Sequence, residues 1–169
     1  AKALARRLKF SYLDTGAMYR ALTLKAMRQA LNLEEEAALV ALARQTAIDL
    51  QPDEKKGTRV FLDGEDVSDE IRTLAVTNST FYIARAPRVR EIMVEWQRAM
   101  GRRQDVVVEG RDAGTVIYPE AKYKFYLDAN VEERCRRRLK ELEEKGQTVE
   151  AEKLKQEIRE RDHKDFSRS

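Results

Sequence analysis

The chain has 169 residues, a length that suits one domain with a real core, and its 42% hydrophobic content is that of a soluble globular protein. With 33 basic against 30 acidic residues the net charge is only +3, so a pI of about 9.0 is weak support for nucleic-acid binding. Cys135 is the single cysteine and His163 the single histidine, which excludes an intrachain disulfide and argues against a zinc site or a histidine-based triad. Chemistry must therefore use arginine, lysine, carboxylates and hydroxyls, with no protein-built metal site expected. The absence of a long apolar run or signal-peptide pattern makes a cytoplasmic location, away from membranes, the expectation.

Residues 1–9 read as a helix that starts without a capping residue. Phe10 to Asp14 is a short apolar strand that turns through Asp14 and Gly16 into a helix reaching about Leu31, with Leu22, Leu24, Ala26, Met27 and Leu31 as its buried stripe. Met18 and Tyr19 read as core. A short helix over 34–45 follows, and then the texture changes: 58–62, an Asp63-Gly64 turn and 65–67 make a hairpin signal, predicting a small antiparallel insertion over about 47–69. Asp69 to Arg72 is expected to open the next helix, and Pro87 to separate it from another that carries Val94 and Trp96 into the core.

Residues 105–109 form a β-branched run that predicts a parallel strand buried on both faces, and 123–128 is a further candidate of the same kind. Helices between such strands predict a doubly wound α/β fold, in which ligands bind beyond the carboxyl ends of the strands. Asp14, Glu109, Arg111, Asp112 and Asp128 all fall at such ends. The last third is two charged helices parted near Gly146. Glu132–Arg136, Glu133–Arg137 and Glu141–Lys145 are favourable i,i+4 pairs that explain a solvated surface. Arg134, Arg137 and Arg138 exceed what those pairs require. Leu154 and Ile158 mark a buried stripe, and Arg161, Asp165 and Arg168 share one helical face.

Arg20, near a helix N-terminus that already carries partial positive charge, is out of place unless an anion sits there. Arg111 stands at the second strand end, and guanidinium forks match phosphate oxygens. Asp112 points away from its neighbour in extended chain and is free to accept from a base or sugar; Asp165 could take a ribose hydroxyl. Such a set recognises a nucleoside monophosphate, and phosphoryl transfer suits it because that reaction depends on positioning and charge stabilisation.

The segments LDTGAMYR at 13–20, GEDVSDEIR at 64–72, PRVR at 87–90, GRDAGT at 110–115 and the 160–168 face with Arg161, Asp165 and Arg168 closely resemble bacterial-type cytidylate kinase, a nucleoside monophosphate kinase of the P-loop class, in order over essentially the whole chain. The resemblance implies a P-loop-kinase-like α/β fold, a parallel sheet flanked by helices with a small antiparallel monophosphate-binding insertion at about 47–69 and a helical lid at about 134–161, in one kinase domain spanning 1–169. It implies transfer of the ATP γ-phosphate, with Mg²⁺, to CMP or dCMP on a monomer. Thr15, Arg90, Asp112 and Arg168 match the family's cytosine-pocket residues, Arg20 and Arg111 its acceptor-phosphate ligands, Arg161 and Asp165 its ribose contacts, and Arg134, Arg137 and Arg138 its lid arginines.

Two departures stand out. Phe81 occupies a place where the family often has a serine near the sugar. The glycine-rich phosphate loop with its lysine and Ser/Thr is not among these residues and is expected immediately before Ala1, while the last strand and helix are expected after Arg168, so the sequence is expected to be part of a longer protein. The competing expectations are a relative acting on UMP, which would need a different group at Asp112, and a non-catalytic fragment or basic helical binding module built on the arginine-rich helices.

Overall fold

A computed structural model describes residues 1–53, 57–144, 146 and 148–166, without the side chains of 161 and 164–166. The chain forms two compact units, Ala1–Lys122 and Tyr123–Ser169. In the first, helix α1 (Lys2–Leu8) leads through a left-handed Lys9 into strand β1 (Ser11–Asp14), and helix α2 (Thr15–Arg28) follows directly. Helix α3 spans Glu36–Arg44, and strands β2 (Ile48–Asp53), β3 (Gly57–Leu62) and β4 (Glu65–Asp66) make an antiparallel sheet in the order β2-β3-β4. The predicted turn between β3 and β4 is present: Asp63 and Gly64 take φ of 51° and 89°, the positive values that a two-residue hairpin turn of primed type needs.

Helix α2 organises this unit because it is buried on two faces. Met18, Leu22 and Ala26, spaced by four, enter a core with α3 and with helix α5 (Pro87–Gly101), where Leu39, Ala43, Val89 and Met93 are buried. Ala17, Ala21 and Leu24 enter a second core with Val60, Leu62 and Val67 of the antiparallel insertion, Ile71 just after it and Val76 of helix α4 (Leu74–Arg85). Small residues at 17 and 21 let the insertion approach the helix closely. Its far end is tied by Arg28, whose guanidinium takes Glu65 at 2.7 and 2.9 Å and Glu70 at 3.3 and 2.5 Å. Half-buried Trp96 packs against the first core, as expected.

The helix expected to open at Asp69 begins later. Glu70–Arg72 is a single 3-10 turn, and Thr73 caps α4 by accepting from the Val76 N–H at 3.4 Å. A hydroxyl in extended backbone at Thr73 satisfies the first orphan donor, which Asp69 does not. Strand β5 (Val106–Glu109) pairs with β1 in parallel, Ser11 with Val106 through Asp14 with Glu109. Its valines are half-buried, not closed on both faces as the β-branched run predicts, because among the described residues β1 is its one sheet neighbour. Residues 113–117 form one π-type turn after β5.

In the second unit, helices α6 (Val131–Glu143) and α7 (Ala151–Phe166) pack on one another over Cys135, Leu142 and Leu154. The strand expected over 123–128 is not formed, and Tyr123, Phe125, Tyr126 and Leu127 stand between 73% and 88% exposed. A strand exists only through its ladder, and among the described residues no strand pairs with this segment. Among the described residues no helix is long and apolar enough to cross a membrane.

Candidate active site

The register of the parallel pair brings the carboxyl ends of β1 and β5 level, with Asp14 beside Glu109. Asp14 is the N-cap of α2: its Oδ1 accepts the Ala17 N–H at 2.9 Å. Its Oδ2 lies 3.4 Å from Nη2 of Arg20, which folds back from the second turn of the helix. The cap therefore also holds the arginine in place. Thr15, almost fully buried, donates its hydroxyl to the Glu109 carbonyl at 2.9 Å and so fastens α2 to the end of β5. Gly110 passes against it so closely that a Cβ there would lie 2.3 Å from Thr15 Oγ1.

Arg20 is an under-compensated cation. Burial is the main effect pushing its pKa down, Asp14 opposes it, and the neighbouring Arg72 guanidinium adds to the depression. A guanidinium stays charged at any working pH, and Asp14 at 3.4 Å is the carboxylate that faces it among the described residues. The buried Arg20 Nε has no hydrogen-bond acceptor among the described residues, and a fork beside a helix N-terminus suits an oxyanion. Tyr12 sits alongside and donates its hydroxyl to Glu109 Oε2 at 2.9 Å. Burial first, and then Asp14 and Glu109, push its pKa up, so the phenol remains a neutral donor.

On the other flank, Arg90 on α5 approaches Asp112, with Nη2 at 3.5 Å from Oδ2. Two of the four expected cytosine-pocket residues, Arg90 and Asp112, are thus brought together. Arg111 is exposed at the mouth of the strand end. Arg72 and Tyr12 are the members that sequence reasoning did not single out. Arg72 lies within a recognised segment, but only the docking of the insertion on α2 carries it towards Arg20.

The remaining expected residues lie in the second unit. Arg168 falls outside the described residues, and Arg161 and Asp165 belong to α7 without described side chains. The arginine cluster on α6 is not surplus charge. Arg134 forks onto Asp162 of α7 at 2.8 and 2.6 Å, Arg138 meets Glu141 at 3.0 Å, and Arg137 lies 3.8 Å from Glu133. Glu132 turns from the expected Arg136 to Lys155 at 3.0 Å, while Arg136 takes Glu133. Lys145, the expected partner of Glu141, lies outside the described residues. Acidic partners on α6 and α7 therefore account for these arginines, which removes the support for a free basic surface. Phe81 is half-buried in an aromatic pair with Tyr82, with Arg85 5.4 Å from its ring centre. Among the described residues no three acidic, histidine or cysteine side chains converge on a metal position.

Comparison with known proteins identifies the family. The family model described as cytidylate kinase matches residues 1–169. Relatives named cytidylate kinase include that of Caldanaerobacter subterraneus, 48% identical over 168 residues, covering 99% of this chain and 73% of the relative. That of Pelotomaculum thermopropionicum is 48% identical over 169 residues and that of Desulforamulus reducens 49% identical, each match covering 100% of this chain and 75% of the relative. The parallel sheet flanked by helices and the small antiparallel sheet are those of a nucleoside monophosphate kinase fold, and the chain belongs to the cytidylate kinase family.

Proposed function

We propose that the protein transfers the γ-phosphoryl group of ATP to a phosphate oxygen of CMP or dCMP, giving ADP and CDP or dCDP. The observation that carries the acceptor half is Arg20: a half-buried guanidinium held by one carboxylate, with the Arg72 cation acting against it and a buried Nε that has no partner among the described residues, at the level ends of two parallel strands. A phosphate monoester dianion supplies the missing charge. Arg111, at the adjacent strand end, is the second phosphate ligand in this reading.

The base would lie towards Arg90 and Asp112. An ionised Asp112 accepts from the exocyclic amine of cytosine and repels the carbonyl that uracil presents there. Thr15, whose hydroxyl hydrogen is committed to the Glu109 carbonyl, offers only an acceptor, which again suits an amine. Arg161 and Asp165 as ribose contacts, Arg168 as a base contact and a lid over about 134–161 have the family resemblance as their support. Magnesium enters with the ATP phosphates in this proposal; the described residues build no metal cage, so no step is assigned to it. A monomeric cytoplasmic enzyme without nucleic-acid partners fits the nearly balanced charge of 33 basic and 30 acidic residues.

Thermal denaturation with CMP, UMP and ATP added separately tests the reading. Selective binding to the native state raises the melting temperature, so CMP alone should raise it and UMP should do so much less. Equal shifts with CMP and UMP would favour a relative without base selection, and no shift with any nucleotide would overturn the assignment.

A further inference from the structure

Asp112 sits at the entrance to a turn too short to hold its own position. The Asp112 carbonyl accepts from the N–H groups of Val116 at 2.9 Å and Ile117 at 3.2 Å, so the place of the whole 113–117 turn decides where the Asp112 carboxylate lies. One isolated turn of helix is unstable on its own and leaves its last carbonyls without partners. Here α5 supplies them. Arg98 donates from Nη2 to the Val116 carbonyl at 2.8 Å and from Nε to the Ile117 carbonyl at 3.0 Å. Tyr118, next in the chain, donates its hydroxyl to the Gln97 carbonyl at 2.6 Å. That seat exists because residue 101 is glycine: a Cβ there would fall 2.1 Å from the Tyr118 hydroxyl oxygen.

Helix α5 therefore meets the turn twice. Arg90 reaches Asp112 itself, and eight residues later, about 12 Å along the helix, Arg98 and the Gln97 carbonyl grip the turn's far end. We propose that Arg98, assisted by Tyr118, is a positioning residue that sets the Asp112 carboxylate against Arg90 and thereby fixes the discrimination between cytosine and uracil nucleotides. The proposal deepens the function proposed above and rests on Asp112 reading the base.

The reason to expect a specificity effect is geometric. A carboxylate separates an amine from a carbonyl only at hydrogen-bonding distance, and displacements of about 1 Å remove much of such an effect. Of the two phosphate ligands, Arg20 is carried by α2 and Arg111 stands before the turn at the end of β5, so most of the affinity common to CMP and UMP should survive.

Calorimetric titration of the complete protein with CMP and with UMP, for wild type, Arg98→Met, Arg98→Lys, Tyr118→Phe and Asp112→Asn, separates the possibilities. Arg98→Met should lower the CMP-to-UMP affinity ratio by about tenfold, the scale of one charge-assisted hydrogen bond, with UMP affinity changed by less than about twofold on that account. Arg98→Lys, which keeps one donor near the carbonyls, should recover part of the ratio, and Tyr118→Phe should lower it less than Arg98→Met. A ratio collapsed by Asp112→Asn but untouched by the Arg98 and Tyr118 substitutions would overturn the positioning role and leave base reading intact. A ratio indifferent to Asp112→Asn would overturn base reading, and this proposal with it. If Arg98→Met does not fold, Arg98→Lys and Tyr118→Phe decide the matter, and unchanged ratios in both would refute the positioning role.

Discussion

Replacing Gly110 by alanine should damage the joint between the two strand ends in a way that a second substitution repairs. The new Cβ would lie 2.3 Å from Thr15 Oγ1, 3.3 Å from its Cγ2 and 3.4 Å from its Cβ. Thr15 cannot easily turn aside. It is buried, β-branched and fixed by its hydroxyl to the Glu109 carbonyl. Overpacking of this kind costs about 1–3 kcal/mol. Thr15→Ala alone removes one hydrogen bond and should cost about 1 kcal/mol. Additivity would put the double variant at roughly 2–4 kcal/mol. Removing Oγ1 and Cγ2 abolishes the two shortest contacts and leaves only one at 3.4 Å, so the double variant should instead resemble Thr15→Ala, with a favourable coupling of about 1–3 kcal/mol. Urea unfolding of the four proteins, with unchanged m values, measures the coupling. Strict additivity would show that Gly110 and Thr15 do not meet as described, and the account of how the strand ends are joined would fail.

Further expectations follow from the same contacts. Asp112→Ala should narrow the preference for CMP over UMP in steady-state kinetics, and an unchanged ratio would count against its role as acceptor for the cytosine amine. Leu22→Ala, in the fully buried stripe of α2, should destabilise by about 2–5 kcal/mol in denaturant unfolding; a loss below about 1 kcal/mol by the same measure would contradict its central place. Asp66, held by Ser68 through side chain and backbone and by Arg59, has its carboxyl lowered to about 2. Because the folded value lies below the ordinary one of about 3.9, its contribution is present above that pH and is lost as the pH falls towards 2. NMR titration should place the Asp66 carboxyl transition in that low range, and Asp66→Asn should remove this part of the acid sensitivity.

Local signals in the sequence carried much of the fold. Period-four spacing marks α2, and the Asp63-Gly64 pair marks its hairpin because that turn demands positive φ at both residues. Long-range partners were harder to see. The β-branched texture of 105–109 identifies a strand but not how many neighbours it has, and 123–128 has strand-like side chains without a ladder. Arg134 looked surplus because its carboxylate, Asp162, is 28 residues away on another helix.

The candidate site divides in the same way. Arg20, Arg111 and Asp112 announce themselves at strand ends, where ligand chemistry collects. Arg72 does not, since its approach to Arg20 is created by the packing of Ala17 and Ala21 against the insertion and by the Arg28 tie to Glu65 and Glu70. Tyr12 reads as an ordinary strand aromatic until the register sets it beside Glu109. Arg98 and Tyr118 lie further still from any motif, because their partners are backbone carbonyls and carry no sequence signature.

The central claim is that Arg20 anchors a phosphate at the joined strand ends, and comparing CMP with cytidine tests it most directly. Calorimetric titration of the complete protein should show CMP bound at least about tenfold more tightly than cytidine, the scale of a charged hydrogen bond. Arg20→Met should erase most of that difference while leaving cytidine binding nearly unchanged. Equal binding of CMP and cytidine by the wild-type protein, or a difference that survives Arg20→Met intact, would contradict the account.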